Sequence, residues 1–248
     1  MSKLKIWYFI KFFEQESYAD QFMAGRLYLN TLAYFRKKES ECDDGRVDST
    51  EAVAMWWQPN DIILTLKVPK LGIDIAITEK DLAAPVSVSF GRHDLLHLLC
   101  LYAVHWAGFE PVGGKIHCEP EEAEALQRQL RIDKRCFKFG KFAVVTPAVP
   151  FLDRLKKTLW HKATGRLVEY YDDEVFHGEI PEKDIPFRKQ KRFGYQHEFR
   201  LCFDTGAEQD YPITINIGDI SDLCAKVLSA KLPDIFTLKP ESGYPDMS

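Results

Sequence analysis

Gln196, Glu198 and Arg200 occupy every second position of the stretch YQHEFRLCF, residues 195–203. Side chains alternate faces along a β-strand. A strand here would project these three from one side. Tyr195, His197, Phe199, Leu201 and Phe203 would form a core face on the other. Glu198 could steady a developing cation by fixed charge, as carboxylates do for the oxocarbenium-like transition state of glycoside cleavage. Gln196 could hold an acceptor next to it. Arg200 could pair with Glu198 at rest or with a phosphate of a ligand. The structural alternative is a polar sheet surface carrying an ion pair.

Two further groups of residues could support such chemistry. Arg46, Asp48 and Glu51 fall in the polar, acidic stretch 37–51, which reads as a long loop turning at Asp44-Gly45. Arg46 could reach a pyrophosphate or acceptor with Asp48 orienting it, or the group could be a solvated turn. Asn30, between Leu29 and Thr31, is a local cap or a ligand contact. Arg188, Lys189, Lys191 and Arg192 form a basic run, FRKQKRF, directly before the Glu198 stretch. The four are expected to be exposed along one edge of the Glu198 site, facing a polyanionic partner or only solvent.

Other chemistries find less support. GxxxxGK[ST], GxGxxG and GxSxG do not occur. The six cysteines form no CxxC pair, and His117-Cys118 lacks a second ligand pair, so no metal is expected. His97 and His105 sit in an apolar run and read as core or edge histidines. A Cys202 nucleophile would lack an evident histidine partner.

The order of these residues is similar to a known pattern. An aromatic strand (KIWYFI), a short helix, YADQFMAGRLYLNTLAYFR, an acidic loop with GRVDSTEA and a late YQHEFR strand resemble a group of prophage and defence-island proteins. More remotely they resemble the ADP-ribosyltransferase-like fold. In that fold an early strand and short helix hold NAD, and a late-strand glutamate within Gln-x-Glu or Glu-x-Glu performs the chemistry. Gln196-His197-Glu198 reproduces that spacing. The resemblance covers about the first fifty residues and 185–218. It implies Glu198 and Gln196 as catalytic residues, with NAD as substrate. Tyr8, Tyr28, Asn30, Tyr34, Arg46 and Arg200 would bind it, Tyr28 or Tyr34 by stacking. The early strand departs from the family by offering Lys5, Tyr8 and Lys11 in place of an arginine or histidine.

The surrounding elements read as a mixed α+β chain, strand-rich with short helices, in one domain spanning 1–248 with a tail fraying from about 238. Expected strands are 5–10, 61–68, 72–78, 85–90, 136–146, 165–171 and 195–204, with 99–105 favoured as a strand in an apolar run, 95–106, that a buried helix would also fit. Residues 211–218 are expected as the hairpin partner of 195–204, and IFTL as a last strand. Expected helices are 17–24 with Ser17 as cap and Gly25 closing, 118–130, and 149–163. A net charge of −4 excludes a global polycation field, so any nucleic-acid contact must be local. No apolar run suits a membrane span or signal peptide, which implies a cytoplasmic protein without membrane partners. The resemblance implies an ADP-ribosyltransferase, a toxin or phage-defence effector acting on a nucleic acid or protein, with an antitoxin or phage protein as a further partner. A non-enzymatic phage or prophage binding or sensor protein is the alternative, and a nucleic-acid-processing enzyme a second.

Overall fold

Aromatic and β-branched residues favour a pleated, half-buried backbone, and the N-terminal KIWYFIKFF forms a strand, Lys5–Phe13, longer than the expected 5–10. The structure is a computed structural model and describes residues 5–37, 49–106, 108–109, 116–159 and 163–238. It is mixed α/β, strand-rich, with several antiparallel sheets and short helices. Two compact units divide it, one drawn from 1–26, 101–158 and 217–248, the other from 27–100 and 159–216.

In the first unit Lys5–Phe13 lies antiparallel to the Trp106 end of the strand His97–Trp106 and to Phe142–Pro147. Ala225–Leu228, an unanticipated strand, pairs with the latter. Phe9, Phe22 and Phe151 meet in the core. The first helix is Glu16–Met23, and its cap is Gln15 without a side-chain bond rather than Ser17. Gly25 does close it, at φ +79°; a Cβ there would lie 1.8 Å from the Gly218 carbonyl oxygen. The expected strand 136–146 is instead a 3-10 turn, Lys134–Phe139, followed by the strand Phe142–Pro147. The Gly140 between them lies so close to the Phe13 backbone that a Cβ would sit 2.3 Å away. IFTL is not a strand. A short helix, Leu232–Ile235, ends there, and Gln127 binds the Phe236 carbonyl and Leu238 amide that a ladder would have used. Helix Pro120–Leu130 matches expectation closely, whereas the expected helix 149–163 is Ala148–Leu159 and Ala163 already begins a strand, Ala163–Leu167; the expected frayed end lies outside the described residues.

In the second unit Arg26–Thr31 pairs with the His97 end of His97–Trp106, and Ile213–Asn216 lies on its other side. The expected hairpin between 195–204 and 211–218 is therefore absent. The reason is local: Thr31 bonds Asp210, and buried His97 contacts the Tyr211 carbonyl and the Thr205 hydroxyl at 2.9 Å each. Glu198–Phe203 takes Ala163–Leu167 as its antiparallel partner, with Arg200 opposite Arg166. Val53–Trp57, missed in the sequence, sits between Gly178–Glu179 and Val86–Ser89. Leu64–Val68 and Ile73–Ile77 form a separate two-stranded hairpin. A short parallel pair, Glu169–Tyr171 with Arg188–Gln190, places Lys189 opposite Tyr170.

Candidate functional site

All six residues of the strand Glu198–Phe203 are buried. Phe199, Leu201 and Phe203 face one way, as expected. On the other side Glu198 and Arg200 enter a charge cluster inside the second unit. The strand begins later than the sequence suggested, because 191–196 form a 3-10 turn and His197, at φ +41°, is left-handed. Gln196 reaches Glu198's neighbourhood through that reversal and not through strand alternation.

Arg200 is 1% exposed and Glu51 fully buried. Arg200 spends its five N–H donors inside the cluster. Nε donates to Glu198 Oε1 at 2.7 Å. Nη1 donates to Glu51 Oε1 and the Pro186 carbonyl, both at 2.6 Å. Nη2 donates to Glu51 Oε2 at 2.9 Å and Glu198 Oε2 at 3.3 Å. Lys189 Nζ, on the Arg188–Gln190 strand, donates to Gln196 Oε1 at 2.9 Å and Glu198 Oε2 at 3.2 Å, and lies 3.8 Å from Glu51 Oε2. It also sits over the Phe193 ring, 4.9 Å from its centre. Two carboxylates thus meet two cations, and the formal charge sums to zero.

Burial alone would push the Glu198 carboxyl up. The Arg200 and Lys189 charges, with hydrogen bonds from Arg200 and the Cys100 thiol, outweigh it and hold the group well below the usual carboxylate range. Burial opposes the Arg200 charge as well, and Glu198 and Glu51 reverse that effect. Nearby Cys202 is pushed up to about 12, mainly by burial, so its thiol stays protonated.

The backbone beside each carboxylate is strained. Ala52, next to Glu51, has φ +57°, and His197 precedes Glu198; they are the only non-glycine residues with positive φ among the described residues. Such conformations cost about 1–2 kcal/mol for L-residues and gather where surrounding structure imposes them. Arg36 Nε donates to the Glu51 carbonyl at 3.0 Å, and the Glu198 amide donates to the Tyr170 hydroxyl at 3.0 Å.

The sequence-derived residues divide accordingly. Gln196, Glu198, Arg200, Lys189 and Glu51 come together. Lys189, expected to be exposed, is 3% exposed because its ammonium completes the cluster. Arg188 is half-buried, on Glu169, while Lys191 is exposed and pairs with Asp172 at 3.0 Å; Arg192 is exposed. Arg200 has no donor left for a phosphate. Glu51 lies in the turn just before the strand Val53–Trp57 and is buried rather than solvated. Tyr28 is 57% exposed, Tyr34 packs edge-on against Phe35, and Asn30 pairs with Leu98. Tyr8 belongs to the first unit, edge-on to Phe236. Arg46 and Asp48 lie outside the described residues. Cys100 and Tyr170 carry no sequence signal as site residues, since only the fold brings them to Glu198.

Among the described residues no group of three or more His, Cys, Asp or Glu could hold a metal ion, and no helix is long and apolar enough to cross a membrane. No family model, curated protein or solved structure matches the chain.

Proposed function

We propose that the chain is an NAD-dependent ADP-ribosyltransferase with Glu198 as its catalytic carboxylate, acting on a cationic side chain of a macromolecule as a toxin or defence effector would. The observation that carries this reading is the cation site made by Gln196 Oε1 and Glu198 Oε2, which converge on one ammonium at 2.9 and 3.2 Å. An acceptor guanidinium or amine offered to the same two oxygens would be held against an ionised carboxylate. The nicotinamide–ribose bond would break with its electrons leaving on nicotinamide, and Glu198 would steady the ribosyl cation. The acceptor nitrogen would then bond to that carbon and lose its proton.

Energetics supports a functional origin for the cluster. Buried ion networks stabilise folds little compared with apolar packing, and strain beside both carboxylates adds a cost. For the acceptor to enter, Lys189 must withdraw, since it now fills the site.

A second reading, a non-enzymatic binding or sensor protein, is favoured by one observation: Glu198 is 5% exposed with both oxygens engaged. Incubating the protein with labelled NAD and cell lysate separates the two. Transferase activity predicts label transfer by the wild type and a loss of about 10²–10³ in rate for Glu198→Gln, the usual effect of removing one preorganised electrostatic element. No transfer from folded wild type, or equal transfer from both proteins, selects the binding reading.

A further inference from the structure

The hairpin Leu64–Val68/Ile73–Ile77 has one face made only of aliphatic residues. Its cross-strand pairs are Leu64 with Ile77, Leu66 with Ile75, and Val68 with Ile73. The opposite face carries Thr65 with Ala76 and Lys67 with Asp74. An alternating hairpin normally turns its apolar face inward. Here Leu66, Ile75 and Ile73 are 52, 48 and 46% exposed, and Leu71 at the turn is 70% exposed. The two strands form a sheet of their own, and isolated two-stranded hairpins are marginal in water without something packed on them. Contiguous exposed apolar surface of this kind marks an interaction site.

We propose that this face pairs with the same face of a second copy of the chain, related by a twofold axis lying along the Leu66–Ile75 pair. The aliphatic array is symmetric about that pair, so turning it over lays Leu66 on Leu66 and Ile75 on Ile75, while each outer pair meets the opposite outer pair. An isologous interface requires this self-complementarity. The rotation reverses strand direction and brings the hairpin's tip to its partner's base. The tip carries exposed Lys70; the base carries exposed Asp61, Glu79 and Asp81 with Lys80. Basic tip therefore meets acidic base at both ends. Lys67 and Asp74 face each other on the far side and leave the contact apolar. The same acidic base disfavours an anionic lipid surface as occupant. A hairpin face is smaller than a standard interface, so the dimer is expected to be weak and to form reversibly with concentration.

Sedimentation velocity on the full chain from about 10 µM to 1 mM, the range suited to small interfaces, tests this. Wild type should pass from monomer to dimer. Leu66→Lys and Leu66→Glu, each folded by circular dichroism, should stay monomeric alone and associate when mixed, because the twofold places residue 66 against itself. Lys70→Glu should weaken the dimer at least tenfold at low salt, with less effect at high salt. Wild type that stays monomeric throughout, Leu66 variants that dimerise alone, a mixture that does not associate, or a neutral Lys70→Glu would each overturn the proposal.

Discussion

Consider removing Arg200 from the buried cluster by Arg200→Met. The substitution keeps an unbranched side chain of similar length and deletes the five hydrogen bonds that Arg200 donates to Glu51, Glu198 and the Pro186 carbonyl. What remains is two buried carboxylates facing Lys189 alone, with Glu51, fully buried, 3.8 Å from that ammonium. Breaking a buried pair by removing one partner costs about 3–5 kcal/mol, most of it from the charge left behind. Glu51→Leu strands Arg200 in the same way and should cost a similar amount. The double variant removes one charge of each sign and leaves Glu198 with Lys189, again neutral. Its loss should therefore be close to that of one single variant, far below the 6–10 kcal/mol obtained by adding about 3–5 twice. Urea unfolding followed by tryptophan fluorescence measures this. With a slope of about 3 kcal/mol per M, each single variant should lower the midpoint by about 1–2 M. Additive losses, or single variants costing below about 1 kcal/mol, would mean that solvent reaches the cluster and that Arg200 is not its organising charge.

Other consequences follow from the same geometry. Glu198 is ionised in the fold at pH values where it would bind a proton when unfolded, so its contribution is present above its ordinary value near 4.5 and is lost as pH falls below it. Below about pH 4.5 the stability of wild type should fall more steeply with pH than that of Glu198→Gln, by up to about 1.4 kcal/mol per pH unit; parallel slopes in acid-unfolding titrations would contradict the held-down carboxylate. Ala52→Gly should be neutral or raise the melting temperature, since glycine removes about 1–2 kcal/mol of left-handed strain and returns part of it as chain entropy. A lowered melting temperature would show that Ala52 is relaxed. Gly25→Ala should destabilise by several kcal/mol, beyond the 1–2 kcal/mol of φ strain alone, because its Cβ would fall 1.8 Å from the Gly218 carbonyl oxygen; an unchanged unfolding midpoint would refute that close approach.

Where local pattern and burial agreed, the sequence was readable. Lys5–Phe13 and Pro120–Leu130 declare themselves through aromatic content and an N-terminal proline with acidic first turn, while the apolar run of His97–Trp106 fits strand or helix and only the fold decides for the strand. Pairing was less legible. Residues 213–216 alternate as an expected partner for 198–203 should, yet the side chains of Thr31 and His97 bind Thr205, Asp210 and the Tyr211 carbonyl in the 204–211 connection and carry it elsewhere. Such long-range hydrogen bonds leave no periodic trace. The strands at 53–57 and 225–228 were hidden for a related reason: each follows a polar segment, and only its partners across the sheet establish it.

The site shows the limit most clearly. Alternation correctly put Glu198 and Arg200 on one face, and their ion pair was foreseeable from adjacency on that face. Alternation also implied that the face was open, because three polar residues on a strand ordinarily meet solvent. The fold inverts that inference by bringing in two more charges, Glu51 from far along the chain at the end of an acidic loop and Lys189 from the adjoining basic run. Neither residue is unusual in its own segment; only their sum, a neutral cluster of two acids and two bases, makes burial tolerable. A polar strand face in a sequence therefore has two physical destinations, water or a compensating set of charges. The deciding quantity is whether the remaining chain supplies opposite charges in equal number within reach. Here it does, and the same count says where function would have to act. Withdrawal of Lys189 alone would leave the cluster with one net negative charge, Glu198 still paired with Arg200, and a cation in its place would restore neutrality.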